Sequence, residues 1–82
     1  MKGTITTINH RTGFHAVLTE EGDITVFELV DAAQPEIGDA ISGALDSLGS
    51  ETLKNLSQGA SFDVFIQDAH CSDSRAKHLL KR

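Results

Sequence analysis

The stretch GFHAVLTEEGDITVFEL, residues 13–29, consists of two short apolar arms around a polar turn. The arms are residues 14–19 and 23–30, and the turn between them contains Gly22. Short runs of β-branched and aromatic residues on both sides of a glycine-containing turn are typical of a β-hairpin. The stretch therefore predicts the second and third strands of a sheet.

The rest of the chain adds further short segments of the same kind. Residues 4–9 predict strand one, residues 39–45 strand four and residues 61–68 strand five. Between the last two, residues 50–57 begin with a helix-capping serine and carry leucines at helical spacing, which predicts one short helical turn. Five strands favour a small all-β antiparallel barrel, because closing a sheet removes its exposed edges.

Residues 71–82 differ from the preceding 70 in charge and in pattern. Four cations stand against one carboxylate among residues 72–82, although the whole 82-residue chain has a net charge of −5. Ala76, Leu79 and Leu80 lie at helical spacing behind a serine-rich start, which predicts a short C-terminal helix. We therefore divide the chain into a barrel domain, residues 1–70, and a basic tail or short helix, residues 71–82.

Composition sets limits on the class of protein. Hydrophobic residues make up 39% and charged residues 23% of the chain, which is typical of a folded domain. The single cysteine, Cys71, excludes an internal disulfide. No apolar run is long enough for a membrane span, and the start has no apolar core of a secretory signal. We expect a cytoplasmic protein that does not contact a membrane.

The first 30 residues match a known family at nine positions. The matching residues are Gly3, Ile5, Asn9, Gly13, Phe14, Val17, Gly22, Val26 and Phe27. On these residues the chain resembles the cold-shock domain and aligns with it without gaps through Val30. The resemblance implies a five-stranded OB-fold barrel that binds single-stranded RNA or DNA by stacking bases on aromatic rings.

The two ribonucleoprotein motifs of that family are only partly present in this chain. The family's KGFGF corresponds here to TGFHA, residues 12–16, and its VFVHF corresponds to VFELV, residues 26–30. Strand one has Thr6 and Thr7 where the family usually has a lysine and a tryptophan. Phe14 and Phe27 therefore remain as the stacking rings, and we expect them side by side on the solvent face of the barrel.

The resemblance implies a nucleic-acid-binding set on this hairpin and on strand one: Phe14, Phe27, His15, Arg11, Thr7 and Leu29. In this set the two rings stack bases, His15 contacts a base, and Arg11 and the cations of the tail meet phosphates. Base stacking contributes about 1–3 kcal/mol per base, so the missing aromatic residues predict weak or selective binding.

A second function of a different class stays open for the same face. Ala16, Leu29 and Val30 stand where the family has residues that contact nucleic acid, and their side chains offer only apolar surface. Such a surface favours a protein partner or a homodimer. The family alignment also points Glu28 into the barrel, where an unpaired carboxylate would be costly. A steep dependence of binding on salt would distinguish phosphate recognition from apolar association.

No other pattern in the sequence predicts catalysis or a cofactor. His70 and Cys71 are neighbours, and in an extended chain they project to opposite faces, so they do not predict a thiol and its base. The four histidines and Cys71 have no recognised metal-ligand spacing. Phe62 and Phe65 are three residues apart in strand five, so one should lie in the core and the other at the rim. We expect no enzyme activity, no cofactor and no metal site.

Overall fold

The computed structural model describes residues 1–81, in which six strands close into an antiparallel barrel and one helix follows them. The elements are β1 (Lys2–Asn9), β2 (Phe14–Thr19), β3 (Ile24–Leu29), β4 (Ala40–Ser42), β5 (Gly49–Asn55), β6 (Ala60–Cys71) and α1 (Asp73–Leu80). The strand order is β1-β2-β3-β6-β5-β4, and β4 closes the barrel by pairing with β1. The predicted all-β barrel is confirmed, but it has six strands where the sequence predicted five.

Residues 50–57 do not form the predicted helical turn, because most of them belong to β5. Leu53 and Asn55 are buried while Thr52 and Lys54 are exposed, which is the alternation of a strand. Pairing of β5 with β4 on one side and β6 on the other supplies backbone hydrogen bonds that a lone helical turn would lack. Long-range pairing therefore overrides the local helical spacing of the leucines.

The core lies inside the barrel and is built from strand residues that alternate inwards, together with Leu45 from the connection between β4 and β5. Its members, each at most 2% exposed, are Ile5, Val17, Phe27, Ile41, Leu45, Leu53, Phe62, Val64 and Ile66. Gly3 allows β1 to pack closely on β2, because a Cβ atom at this position would lie 2.5 Å from Cγ1 of Val17 and 2.8 Å from the carbonyl oxygen of Leu18. Phe62 lies in this core and Phe65 is 42% exposed, which confirms their predicted opposite faces.

Phe27 lies in the core, so the prediction that it lies on the solvent face beside Phe14 is wrong. Its side chain is 0% exposed, and it pairs with His15 across β2 and β3. A shift of one residue turns every side chain of a strand to the other face, so the ungapped alignment gave β3 the wrong orientation. Glu28 consequently points outwards, and its carboxylate accepts a hydrogen bond from Nε2 of Gln67 at 3.3 Å.

The predicted C-terminal helix is confirmed as α1, which packs on the outer face of β2 and β3. Ala76 and Leu79 contact a second buried cluster that contains Val26 and Cys71. Ser72 is the N-cap of the helix, and its side chain accepts a hydrogen bond from the backbone N–H of Arg75. Within residues 1–81 no helix is long and apolar enough to cross a membrane. Arg82, the last cation of the predicted tail, lies outside the described residues.

The helix changes the character of the face that the sequence predicted to be exposed. Ala16 faces outwards on β2 but is only 2% exposed, and Phe14 is half-buried against the cluster beneath α1. Leu29 points towards the barrel core, which leaves Val30 as an exposed member of the predicted apolar patch. The predicted apolar patch consists of Thr7, Phe14, Ala16, Phe27, Leu29 and Val30. It is divided between the two sides of the sheet, and α1 covers Phe14 and Ala16 on the outer side.

Candidate ligand-binding site at the barrel mouth

A cavity of about 560 Å³ opens at one end of the barrel, between the end of β1 and the loop that joins β3 to β4. Its wall is formed by Ile8, His10, His15, Leu29, Ala33, Gln34, Pro35 and Glu36. This volume lies within the range of about 300–1,000 Å³ that is usual for small-molecule sites, which often occupy the mouths of β-barrels. We refer to these eight residues as the mouth cavity.

Three neighbouring strands supply the inner wall of the mouth cavity. The pairing of β1 with β2 shifts register between Ile5 and Thr7, so that Ile8 pairs with His15. This bulge lets Ile5 and Ile8, three residues apart, both contact the core. The backbone N–H of Leu29 donates to the carbonyl of Gly13 at 3.0 Å and brings the end of β3 to the same place.

His15 is the polar group at the base of this cavity. Its side chain is 3% exposed and its ring is stacked on that of Phe27. Nδ1 lies 2.8 Å from the carbonyl oxygen of Gly13. Because a carbonyl oxygen only accepts hydrogen bonds, Nδ1 must carry the proton and donate. In the neutral ring Nε2 is then left as an acceptor.

Nε2 of His15 is available to a ligand. The ring makes its hydrogen bond through Nδ1, and within residues 1–81 no buried side-chain nitrogen or oxygen lacks a partner. Nε2 must therefore reach accessible space, and His15 lines the mouth cavity. Burial lowers the pKa of His15, the Gly13 carbonyl opposes this, and nearby His10 lowers it further. The ring is thus kept neutral, with a lone pair at the cavity.

The loop that forms the outer wall is held in place from both ends. The carboxylate of Asp31 accepts backbone N–H groups of Ala33 and Asp63, both at 2.8 Å, and these bonds lower its pKa. At the other end, Asp39 accepts hydrogen bonds from Asn55 at 2.8 Å and from the backbone N–H of Glu36 at 2.9 Å. Both lower the pKa of Asp39. The wall is therefore ordered before any ligand arrives.

The structure separates the six residues that the sequence predicted to bind nucleic acid. His15 and Leu29 meet in the wall of the mouth cavity, and Arg11 is exposed in the adjoining turn between β1 and β2. Phe27 lies behind His15 and cannot stack on a base from this position. Phe14 and Thr7 lie on the outer side of the sheet, where Thr7 lines a groove beside α1.

Sequence reasoning missed several residues of the cavity. Ile8 was not singled out because the bulge that turns it inwards leaves no local signal. Gln34 and Glu36 lie in an irregular loop whose path depends on contacts with Asn55 and Gln58. Gly38, which has a positive φ of 94°, and Pro35 mark a turn in this loop but do not indicate what the loop covers.

A second polar cluster contains Glu21, Asp23 and His70, whose ligand atoms lie within 4.8 Å of one another. Nδ1 of His70 lies 2.6 Å from Oδ2 of Asp23, and Oδ1 of Asp23 accepts the hydroxyl hydrogen of Thr19, also at 2.6 Å. The Thr19 and His70 hydrogen bonds lower the pKa of Asp23, and Asp23 raises that of His70. An ion pair between the β2–β3 turn and the end of β6 accounts for this geometry.

Cys71 is buried beneath α1 and does not form a reactive thiol. Burial, followed by the nearby Asp68 carboxylate, raises its pKa to about 11. Thiolates are the reactive form of cysteine, so this thiol is protonated and inert at neutral pH. The described residues therefore do not combine Cys71 and His70 into a nucleophile and its base, because the His70 ring is bonded to Asp23.

Comparison of the chain with protein-family models, with curated proteins and with solved structures finds no match. The resemblance to the cold-shock domain therefore remains a prediction from residues 1–30. The mouth cavity is a concave site whose wall contains the buried polar side chain of His15.

Proposed function

We propose that this protein is a cytoplasmic OB-like barrel that binds one unpaired base of single-stranded RNA or DNA in the mouth cavity. The observation that carries this proposal is the buried, neutral His15 ring, whose Nε2 lone pair faces accessible space in the cavity wall. An exocyclic amino group or a ring N–H of a base would donate to Nε2. The side chains of Ile8 and Leu29 would pack against the base.

The polar and apolar parts of the cavity suit an unpaired base better than a duplex. Sequence-selective recognition of single strands uses splayed bases that are stacked and hydrogen-bonded at their edges. The cavity offers an acceptor at His15, the polar Gln34 and Glu36, and apolar walls between them. His10 and Arg11 lie in the turn at the rim, where the sugar-phosphate chain of a bound base would leave the cavity.

The same features predict that binding is weak and selective. Each further stacked base would add about 1–3 kcal/mol of binding free energy, and a site for one base lacks this addition. The chain has a net charge of −5, so long-range attraction to phosphates is small. The resemblance of residues 1–30 to the cold-shock domain supports the assignment to single strands, and the closed antiparallel barrel is consistent with an OB-like fold.

Titration of the ¹⁵N- and ¹³C-labelled protein with the four tetranucleotides dA4, dC4, dG4 and dT4 at low salt tests the proposal. We expect chemical-shift changes at Ile8, His15 and Leu29, and stronger binding of bases that carry an amino group. His15→Phe keeps the ring stacked on Phe27 but removes the acceptor, and should weaken binding by about tenfold, as expected when a ligand donor is left unpaired.

Phe65→Ala, on the outer surface of β6 and outside the mouth cavity, is the matched control and should bind like the wild type. Chemical-shift changes confined to α1 would contradict base binding in the mouth cavity. The absence of any chemical-shift change at millimolar oligonucleotide would contradict it as well. Equal affinity of the His15→Phe variant would contradict the role of Nε2.

A further inference from the structure

The outer surface of β3, β6 and β5 carries an exposed aromatic side chain. Phe62, Val64 and Ile66 point into the core, so Phe65 points outwards, where it is 42% exposed. The strand register places Phe65 between Glu28 of β3 and Ser50 of β5. A large apolar side chain therefore stands at the centre of a three-strand face that α1 does not cover.

A second exposed apolar residue lies along the same face. Val30 is 58% exposed, and its backbone N–H donates to the carbonyl of Asp63 at 3.1 Å. Beside it a shallow cavity of about 570 Å³ is lined by Val30, Ser50, Glu51, Thr52, Asp63 and Val64. The surface thus combines an aromatic projection with an adjoining hollow. We refer to Glu28, Val30, Asp63 and Phe65 as the Phe65 face.

Carboxylates surround the apolar part of this face. Glu28 lies opposite Phe65 in the register, Asp63 lines the hollow, and Asp31 accepts the backbone N–H of Asp63. Oγ1 of Thr52 donates to Asp63 at 2.9 Å and holds that side chain in place. Among residues 28–31, 50–54 and 61–67 the one cation is Lys54, at the end of β5.

This combination of charge and apolar area determines the chemistry of a partner. Three carboxylates repel phosphates and attract lysine and arginine, and complementary charge sets specificity and association rate at interfaces. An aromatic side chain beside a hollow is typical of an interface hot spot. Around Phe65, β6 is paired with β3 on one side and with β5 on the other, so a partner on this face is recognised through side chains and not by strand addition.

We infer that the Phe65 face binds an extended cationic segment of a partner protein. An apolar side chain of that segment packs between Val30 and Phe65, and flanking lysine or arginine residues pair with Glu28 and Asp63. A second copy of this chain fits less well, because its net charge is also −5 and two cations of its helix, Arg75 and Lys77, are already paired with Asp68 and Asp73.

The test is selection from a random twelve-residue peptide library on the full-length protein, after depletion on the Phe65→Ser variant. We expect enriched peptides that contain an apolar residue flanked by lysine or arginine. Fluorescence anisotropy of one enriched peptide then compares the wild type with Phe65→Ser and Leu18→Ser. Leu18 is the matched control, because it is 44% exposed and lies on β2, outside this face.

Phe65→Ser should weaken binding of the peptide by tenfold or more, and Leu18→Ser should leave the affinity unchanged. Asp63→Asn should weaken it as well and should reduce the dependence of affinity on salt. No enrichment, enrichment of acidic peptides, or equal affinity for Phe65→Ser would overturn the inference. Self-association in analytical ultracentrifugation that Phe65→Ser abolishes would also overturn it, since a second copy would then occupy the face. None of these outcomes depends on the mouth cavity. Binding in that cavity is monitored separately by the chemical shifts of His15.

Discussion

The imidazole ring of His15 is stacked on the phenyl ring of Phe27, with the ring centroids 4.9 Å apart and the ring planes 9° apart. The two residues are register partners in β2 and β3, so the stack joins the barrel core to the wall of the mouth cavity. Together with the bond from Nδ1 to the Gly13 carbonyl, it fixes the orientation of the imidazole. Phe27 therefore positions a polar group and does not itself present a surface.

The burial of Phe27 predicts a large effect on stability. Phe27→Ala should lower the free energy of unfolding by about 3–5 kcal/mol, because it removes a ring from a packed core. Urea unfolding followed by circular dichroism measures this change. Phe65→Ala, a truncation of the same size on the surface, should cost far less. A Phe27→Ala protein as stable as the wild type would show that this ring lies outside the core.

The lowered pKa of His15 predicts a loss of stability in acid. In the unfolded chain His15 takes up a proton near its ordinary pKa of 6.5, whereas burial holds its pKa lower in the folded protein. Its contribution is present above pH 6.5 and is lost as the pH falls through the folded-state value. Unfolding free energies across pH 4–8 should show this dependence in the wild type. His15→Phe should show a smaller one, and identical curves would contradict the prediction.

The ion pair of Asp23 and His70 predicts a bounded pH window. The pKa of His70 is raised, so its contribution is present below pH 6.5 and is lost as the pH rises through the folded-state value. The pKa of Asp23 is lowered, so its contribution is present above pH 3.8 and is lost as the pH falls through the folded-state value. The stability advantage of the wild type over His70→Asn should therefore be greatest between pH 3.8 and pH 6.5, where both contributions are fully present.

Thermal unfolding at several pH values measures that advantage. His70 has a positive φ of 55°, and asparagine tolerates this conformation better than most residues, so His70→Asn limits changes in backbone strain. Asp23→Asn should give a similar pH profile, because it removes the same pair. A constant difference between wild type and His70→Asn at every pH would contradict the ion pair.

The position of Cys71 beneath α1 predicts a slow thiol reaction in the native protein. With a pKa of about 11 and 6% exposure, the thiol should react with an aromatic disulfide reagent at pH 8 far more slowly than in urea. Leu79→Asp should speed the native reaction, since Leu79 packs in the same cluster and a carboxylate there detaches the helix. Exposed Leu48→Asp is the control. Fast reaction of the native wild type would contradict this packing.

Several elements could be predicted from the sequence because their signals are local. The β2–β3 hairpin follows from two apolar runs around a turn with Gly22, and α1 follows from a serine cap and leucines at helical spacing. Phe62 and Phe65 point to opposite faces because side chains in a strand alternate. The helical spacing in residues 50–57, which is also a local signal, predicted the wrong element because pairing with β4 and β6 outweighs it.

A barrel of short strands follows from local sequence, because alternation, turn residues and caps act between near neighbours. The face that each side chain of β3 occupies is set by long-range strand pairing, since a register difference of one residue exchanges the two faces without altering the apolar pattern. Strand pairing also creates the mouth cavity, because His15, Leu29 and the β3–β4 loop meet only when the barrel closes. The burial of Ala16 beneath α1 likewise depends on packing between distant parts of the chain.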